Sequence, residues 1–406
     1  MSQRDDLLCR KTSWQGREAF LLANDLIQVV CLAGGGHLAE FRFRDPAAFP
    51  SLSPFWVPPW KTIEPYRYRP KIHASRYGPL ATGKLLSGLV GHNICLDYFG
   101  PSSPEEAEQG LSIHGEAPSL RWRKAGLRTT LRRLALTLAV RLPVAGLSFR
   151  REITLRKGES VVYFKETVVN ERMADHFFHW TQHVTLGPPF LSARDSSVAI
   201  SATRGKTYPH GYDGKSLLAS AEEFRWPAAP GRDGGKVDLR HPLSRPGSGF
   251  VATVLIDPRR KVGFVAALNT HHRLLIAYSF RRCDFPWVAI WEENKARTDK
   301  PWSGRCQTRG LEFSSTPFPV LRHEALAMGP LFKTPVFAMV PARAAKTIRY
   351  VACLAQVPNG FGEVRDIQLA RNKIQVWGGK RRESLTLPAS GLAEAGLSVS
   401  RPGEGD

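Results

Sequence analysis

The chain lacks the short motifs that announce many familiar catalytic centres. No Gly-x-Ser-x-Gly elbow, Walker phosphate loop or His-Glu-x-x-His pair occurs, which excludes the corresponding hydrolase, nucleotide-binding and zinc-peptidase classes. The six cysteines (Cys9, Cys31, Cys95, Cys283, Cys306 and Cys353) never form a Cys-x-x-Cys pair, so zinc ribbons and thioredoxin-like chemistry are not expected and free thiols in a reducing cytoplasm are. No apolar run reaches the length of a membrane span, and the opening Met-Ser-Gln-Arg-Asp-Asp has no apolar leader segment, so a cytoplasmic protein without a membrane partner is expected. No helical period holds for three turns, and no fixed-length repeat suggests a propeller or solenoid. Acidic residues are scarce: 36 Asp and Glu face 57 Lys and Arg, a formal net charge of +21. Such a balance favours polyanions, anionic membranes or acidic small molecules. The basic clusters 121–124, 132–133, 259–261, 281–282 and 380–382 are short and dispersed, so solvated faces are favoured over a nucleic-acid interface.

What is abundant is turn chemistry and alternation. With 35 Gly and 30 Pro, the chain is cut into short extended segments. Residues 17–23 and 26–32 flank Asn24-Asp25 as a hairpin, and Gly34-Gly35-Gly36 turns into 37–44. Leu134, Leu136, Leu138, Val140 and Leu142 alternate with smaller or polar residues, and 149–155 and 161–169 flank Lys157-Gly-Glu-Ser160. Further strands are expected near 251–256, 262–268, 274–280, 287–291, 334–340, 347–355, 373–377 and 384–387. Residues 45–80 read as a long irregular segment rich in Pro, Trp and Tyr, either walling a pocket or packing over one end of the fold. A capping box at Ser103–Glu106 predicts a short helix, residues 192–250 read as a surface excursion, and 292–308 as a loop. The expected fold is all-β: one large antiparallel β-sandwich over residues 1–388, followed by a flexible tail at 389–406.

The stretch His176-Phe-Phe-His179-Trp180-Thr-Gln-His183-Val-Thr-Leu-Gly-Pro-Pro189 concentrates imidazoles and aromatics before a hard stop. As a helix it would suggest a metal site; its aromatic and β-branched content instead predicts a strand. Alternation then puts His179, Thr181, His183 and Thr185 on one face, and His176, Phe178, Trp180, Gln182 and Val184 on the other. The histidine face is either the floor of a polar site or a pair of satisfied core imidazoles. Two other segments place an ionisable group beside a turn or an apolar run: His114-Gly115-Glu116 and Gly310-Leu311-Glu312. An imidazole and a carboxylate facing each other are the minimum needed to move protons on and off a small molecule.

The order of these segments resembles the aldose 1-epimerase (galactose mutarotase) superfamily, including its hexose-6-phosphate mutarotase-like branch. The resemblance is carried by the Gly34–Gly36 turn, His92-Asn-Ile-Cys-Leu-Asp-Tyr-Phe-Gly-Pro101, His114-Gly-Glu-Ala117 with Trp122, the strand ending at His183, and Gly310-Leu-Glu312. It covers roughly residues 17–355. Pro118 stands where the family carries an arginine, and the usual His-x-x-Phe context is replaced after His183. The resemblance implies a β-supersandwich that interconverts sugar anomers. Glu312 would be the base and His183 the acid, with His114 holding the ring or anomeric oxygen, and no metal or organic cofactor would be needed. Asp97, Trp180, Arg121, Trp291 and Glu293 would contact the substrate, and Arg121 or Arg123 would replace the missing cation. The implied partner is a small sugar or sugar phosphate, and the acid and base should lie within about 8 Å of each other. Two alternatives share the scaffold: a sugar-binding protein without turnover, and a lyase- or hydrolase-associated sandwich with an extended groove. The latter would need a carboxylate pair for hydrolysis, and none stands out.

Overall fold

The computed structural model describes residues 7–379 and 383–397. Lys380–Arg382 and residues 398–406 therefore lie outside the described residues. Two antiparallel sheets, of 13 and 8 strands, form the body. The order in the larger sheet brings together strands that are distant in sequence: His92–Cys95, Thr181–Leu186, Gln307–Ser314 and Trp287–Asn294 are successive neighbours at its centre. The smaller sheet contains the regular hairpins Arg133–Leu142, Leu147–Arg156 and Val161–Asn170.

Alternation explains how the layers pack. In Thr181–Leu186 and its partner, Val184, Leu186, Leu311 and Phe313 point inward and join Leu136, Phe149, Phe164 and Leu354 of the smaller sheet in one core. The core also encloses a polar knot. Arg151 and Glu166 pair at 2.6 Å with both side chains fully buried. Glu166 accepts further bonds from Gln182, Trp180 and Tyr350 at 2.7, 3.0 and 2.8 Å. Arg151 also donates to the Gly36 carbonyl at 2.9 Å. A buried pair is costly to break because its orphaned partner stays desolvated, by about 3–5 kcal/mol. Gln182 is thereby pinned to the second sheet, which fixes the orientation of its neighbour His183 toward the outer face.

Several sequence expectations need correction. The 176–186 stretch is two strands: His176–Phe178 pairs with Ala338–Val340, whereas Thr181–Leu186 joins the large sheet. The break falls where the His179 amide turns to the Asp97 carbonyl and the Trp180 amide to Ser315 Oγ, at 2.9 Å each. The 45–80 segment includes a helix, Pro70–Tyr77, and is followed by another, Leu80–Leu86. Residues 192–250 are not merely an excursion, because Ser196–Ile200 and Ala202–Thr207 enter the smaller and larger sheets respectively. Residues 389–397 are no tail: Ala389, Leu392 and Leu397 are buried against the outer face of the smaller sheet, with the 364–388 meander. Their apolar side chains cover Val161, Phe264 and Val351, which would otherwise face water. The predicted capping box is present, with Ser103 Oγ and the Glu106 carboxylate exchanging bonds with each other's amides at 3.2 and 2.9 Å.

Candidate functional site

The site lies on the outer face of the large sheet, where the registers place Asn93, His183, Glu312 and Ala289 side by side. His183 Nε2 stands 3.0 Å from Glu312 Oε1. The oxygen lies off the imidazole N–H direction and has no hydrogen-bond partner despite full burial. The other ring nitrogen, Nδ1, meets Thr185 Oγ1 at 2.9 Å, which sets the tilt of the ring. Glu312 bends back over Gly310: a Cβ at that glycine would sit 2.2 Å from Oε1. The glycine of the Gly-Leu-Glu segment thus makes room for the carboxylate.

His114 enters from a different direction. Its backbone is left-handed, with φ of +72°, and the following Gly115 packs so closely that a Cβ would meet the Leu96 carbonyl at 2.5 Å. This turn lays the His114 ring 5.1 Å from that of His183 and stacks it on Phe99. Nδ1 is 2.6 Å from the Phe99 carbonyl, so it carries the proton and donates, leaving Nε2 as the acceptor. Burial, reinforced by the neighbouring His183, lowers the His114 pKa to about 3. The group is therefore neutral at physiological pH. In that state its Nε2 can only accept a hydrogen bond, not donate one.

An aromatic layer covers these groups. Trp291 meets His183 edge-on at 5.8 Å, and Trp302 packs on Trp291 at 5.9 Å and stacks on Trp56 at 6.0 Å. Trp60 closes the layer against Trp302 at 5.3 Å. The Arg297 guanidinium lies over Tyr212 and Trp302, at 4.8 and 4.9 Å from their ring centres. His114, His183 and Glu312 are 9%, 4% and 2% exposed under this cover.

The structure sorts the remaining predicted contacts. Trp291 is in the site. Glu293 is on the same face, but its carboxylate is occupied: it accepts from Tyr212 at 2.6 Å and from the Ala296 and Arg297 amides at 2.6 and 3.0 Å. It holds the turn that leads to Trp302 rather than reaching into the site. Trp180 is on the opposite face, bonded to Glu166, as alternation from His183 requires. Arg121 is surface-exposed and paired with Glu18 at 2.6 Å, so it does not replace the cation lost at Pro118. Asp97 is buried beside His176 and Arg322, at 3.0 and 3.3 Å. Burial alone would raise its pKa; the His176 hydrogen bond and the Arg322 charge outweigh this and hold it below the usual carboxylate range. Asp97 braces its loop and does not join His183 and Glu312. His179, stacked on Tyr98, belongs to that brace too. Glu292 is sealed on the inner face with Arg309 at 2.8 Å.

Sequence reasoning missed several residues of the site. Asn93 is fully buried opposite His183 with neither amide atom hydrogen-bonded, and alternation from His92 could have found it. Tyr212, Arg297 and Trp302 come from segments read as loops, where no periodicity gives a direction. Among the described residues, no group of three or more His, Cys, Asp or Glu is arranged to hold a metal ion. Among the same residues, no helix is long and apolar enough to cross a membrane.

No protein-family model and no curated protein matches the sequence. Solved structures do. A candidate aldose 1-epimerase from Klebsiella pneumoniae superposes with a TM-score of 0.60 at 11% identity, over 84% of this chain and 81% of that one. A galactose mutarotase-like protein from Clostridium acetobutylicum gives 0.57 at 12%, over 87% and 99%. A candidate mutarotase from Salmonella typhimurium gives 0.54 at 11%, over 88% and 96%. At these identities the likeness speaks for architecture, and the chain has the mutarotase-like β-sandwich fold.

Proposed function

We propose that the protein binds the pyranose ring of an aldose against His183, Glu312 and His114 and interconverts its anomers. The observation that carries this reading is the buried, unpartnered Glu312 oxygen 3.0 Å from His183. A carboxylate and an imidazole at that separation match the neighbouring anomeric and ring oxygens of a sugar. Glu312 takes the anomeric hydroxyl proton while the Nε2–H of a protonated His183 is given to the ring oxygen. The bond between C1 and the ring oxygen breaks, the aldehyde turns about C1–C2, and closure on its other face reverses both transfers. The neutral His114 accepts a hydrogen bond from a sugar hydroxyl through Nε2 and orients the ring, while Trp291 lies against its apolar face. With the three groups so little exposed, entry requires the Trp302 layer to swing aside.

This covering also favours a second reading, a sugar-binding protein without turnover. Anomer exchange followed by NMR on a panel of aldoses and aldose phosphates separates the two. Glu312→Gln and His183→Asn should each lower the catalysed rate by about 10²–10⁴-fold, the range of a lost general acid or base. A wild type that never exceeds the uncatalysed rate, with sugar affinity unchanged in Glu312→Gln, would establish the second reading and end the first.

A further inference from the structure

The aromatic layer has an outer side. There, Trp60, Lys61, Arg76, Lys300 and Arg305 line a cleft of about 550 Å³, together with the hydroxyl-bearing Ser75 and Ser303. The cations come from three separate segments: the strip before the first helix, that helix itself, and the 295–306 loop that carries Trp302. None of the four makes an ion pair or side-chain hydrogen bond with a described residue, and no carboxylate lines the cleft; the nearby Asp299 is not among its walls. A second surface cleft provides the contrast. Its Arg128, Arg133 and Arg156 are answered by Glu152 and Glu394 within the same cleft. Four like charges gathered without a counter-charge raise the local potential and draw an anion.

We infer that this cleft binds an acidic oligosaccharide, one bearing carboxylate or sulfate groups. The volume exceeds what a lone phosphate would fill, and the Trp60 ring offers an apolar platform of the kind sugar faces stack on. Trp60 is also the outer edge of the layer whose inner side meets His183, through Trp302 and Trp291. The cleft thus lies beside the route to the buried groups and would hold the units attached to the reacting sugar. Only this last link rests on the proposed anomer exchange; the binding itself does not.

The test uses the full chain and a chondroitin-type disaccharide carrying one uronate and one sulfate, titrated by calorimetry. Lactose, inorganic phosphate and a ten-residue oligothymidylate serve as comparison probes. The disaccharide should bind at one site per chain and weaken as salt is raised. The Lys300→Ala/Arg305→Ala double variant should bind it at least tenfold more weakly, with an unchanged melting temperature because neither side chain holds a described contact. Trp60→Ala should weaken it as well, and Glu312→Gln should bind it as the wild type does. Equal affinity for inorganic phosphate would overturn the inference in favour of a simple anion site, and tighter binding of the oligothymidylate would reassign the cleft to nucleic acid. Disaccharide binding indifferent to the double variant would also overturn it. Loss of anomer exchange in Glu312→Gln with disaccharide binding intact would leave the two proposals separately judged.

Discussion

Gly310 has a position whose importance comes from what it lacks. It sits inside a strand, where glycine normally costs stability because it has no side chain to pack and a freer unfolded backbone. Here the missing Cβ leaves the space that Glu312 Oε1 occupies, 2.2 Å from where the Cβ would be. Gly310→Ala should therefore push the carboxylate away from His183 while leaving the strand pairing intact. The expected result is about a 10²-fold fall in anomer exchange, the scale of a misplacement near 1 Å. Melting should change little, because alanine is the better strand residue wherever it fits. Retained activity with a lowered melting temperature would mean that the backbone had yielded instead. His114 shows the same dependence on a neighbouring glycine. Its imidazole reaches the site only because Gly115 tolerates close contact with the Leu96 carbonyl.

At the scale of elements, the site is a strand pair capped by a loop, and Glu293 couples them. One oxygen accepts the Ala296 and Arg297 amides, and the other accepts the Tyr212 hydroxyl, which in turn accepts from Trp291 Nε1 at 2.9 Å. Glu293→Ala would leave these donors buried without partners, at about 1–3 kcal/mol for each group. It should lower the melting temperature and raise KM for the sugar more than it lowers kcat, because the turn carrying Trp302 is loosened while His183 and Glu312 stay in place. A kcat loss as large as that of Glu312→Gln would place Glu293 in the chemistry instead. Period-two alternation was enough to read the inward and outward faces of 181–186 and most of the hairpins. It also put Trp180 on the face away from His183, at odds with the substrate contact that the resemblance implied, and the Trp180 bond to Glu166 follows the alternation. The pairing of Thr181–Leu186 with Gln307–Ser314 crosses more than a hundred residues, and nothing local specifies such a register. Motif order supplied the His183–Glu312 pairing. No order or period could supply Tyr212, Arg297 or Trp302, whose directions are set by turns and by one buried carboxylate.

For the whole molecule, the histidines set an acid limit that carboxylates alone would not. His37, His114 and His179 are lowered to about 3, chiefly by burial, and His92 lies well below its ordinary value for the same reason. The ordinary imidazole value is 6.5, so below that pH the unfolded chain binds protons that the folded chain refuses. Stability is therefore complete above pH 6.5 and falls as the pH drops toward 3, by about 1.4 kcal/mol per pH unit for each such group. Asp97, whose pKa is depressed, acts lower: its contribution is present above its unfolded value of 3.8 and is lost below it. The two classes are thus separated in pH. Thermal melts at pH 7.5, 6.5, 5.5 and 5.0 should show a decline that begins near 6.5. His179→Phe, which keeps a ring against Tyr98 and removes one of the four groups, should flatten that decline by roughly a quarter. A melting temperature constant down to about pH 4.5, the ordinary carboxylate range, would show that these imidazoles accept protons in the folded state. His114 would then take up a proton as the pH falls through 6.5, and its role as a neutral acceptor in the sugar site would hold only above that pH.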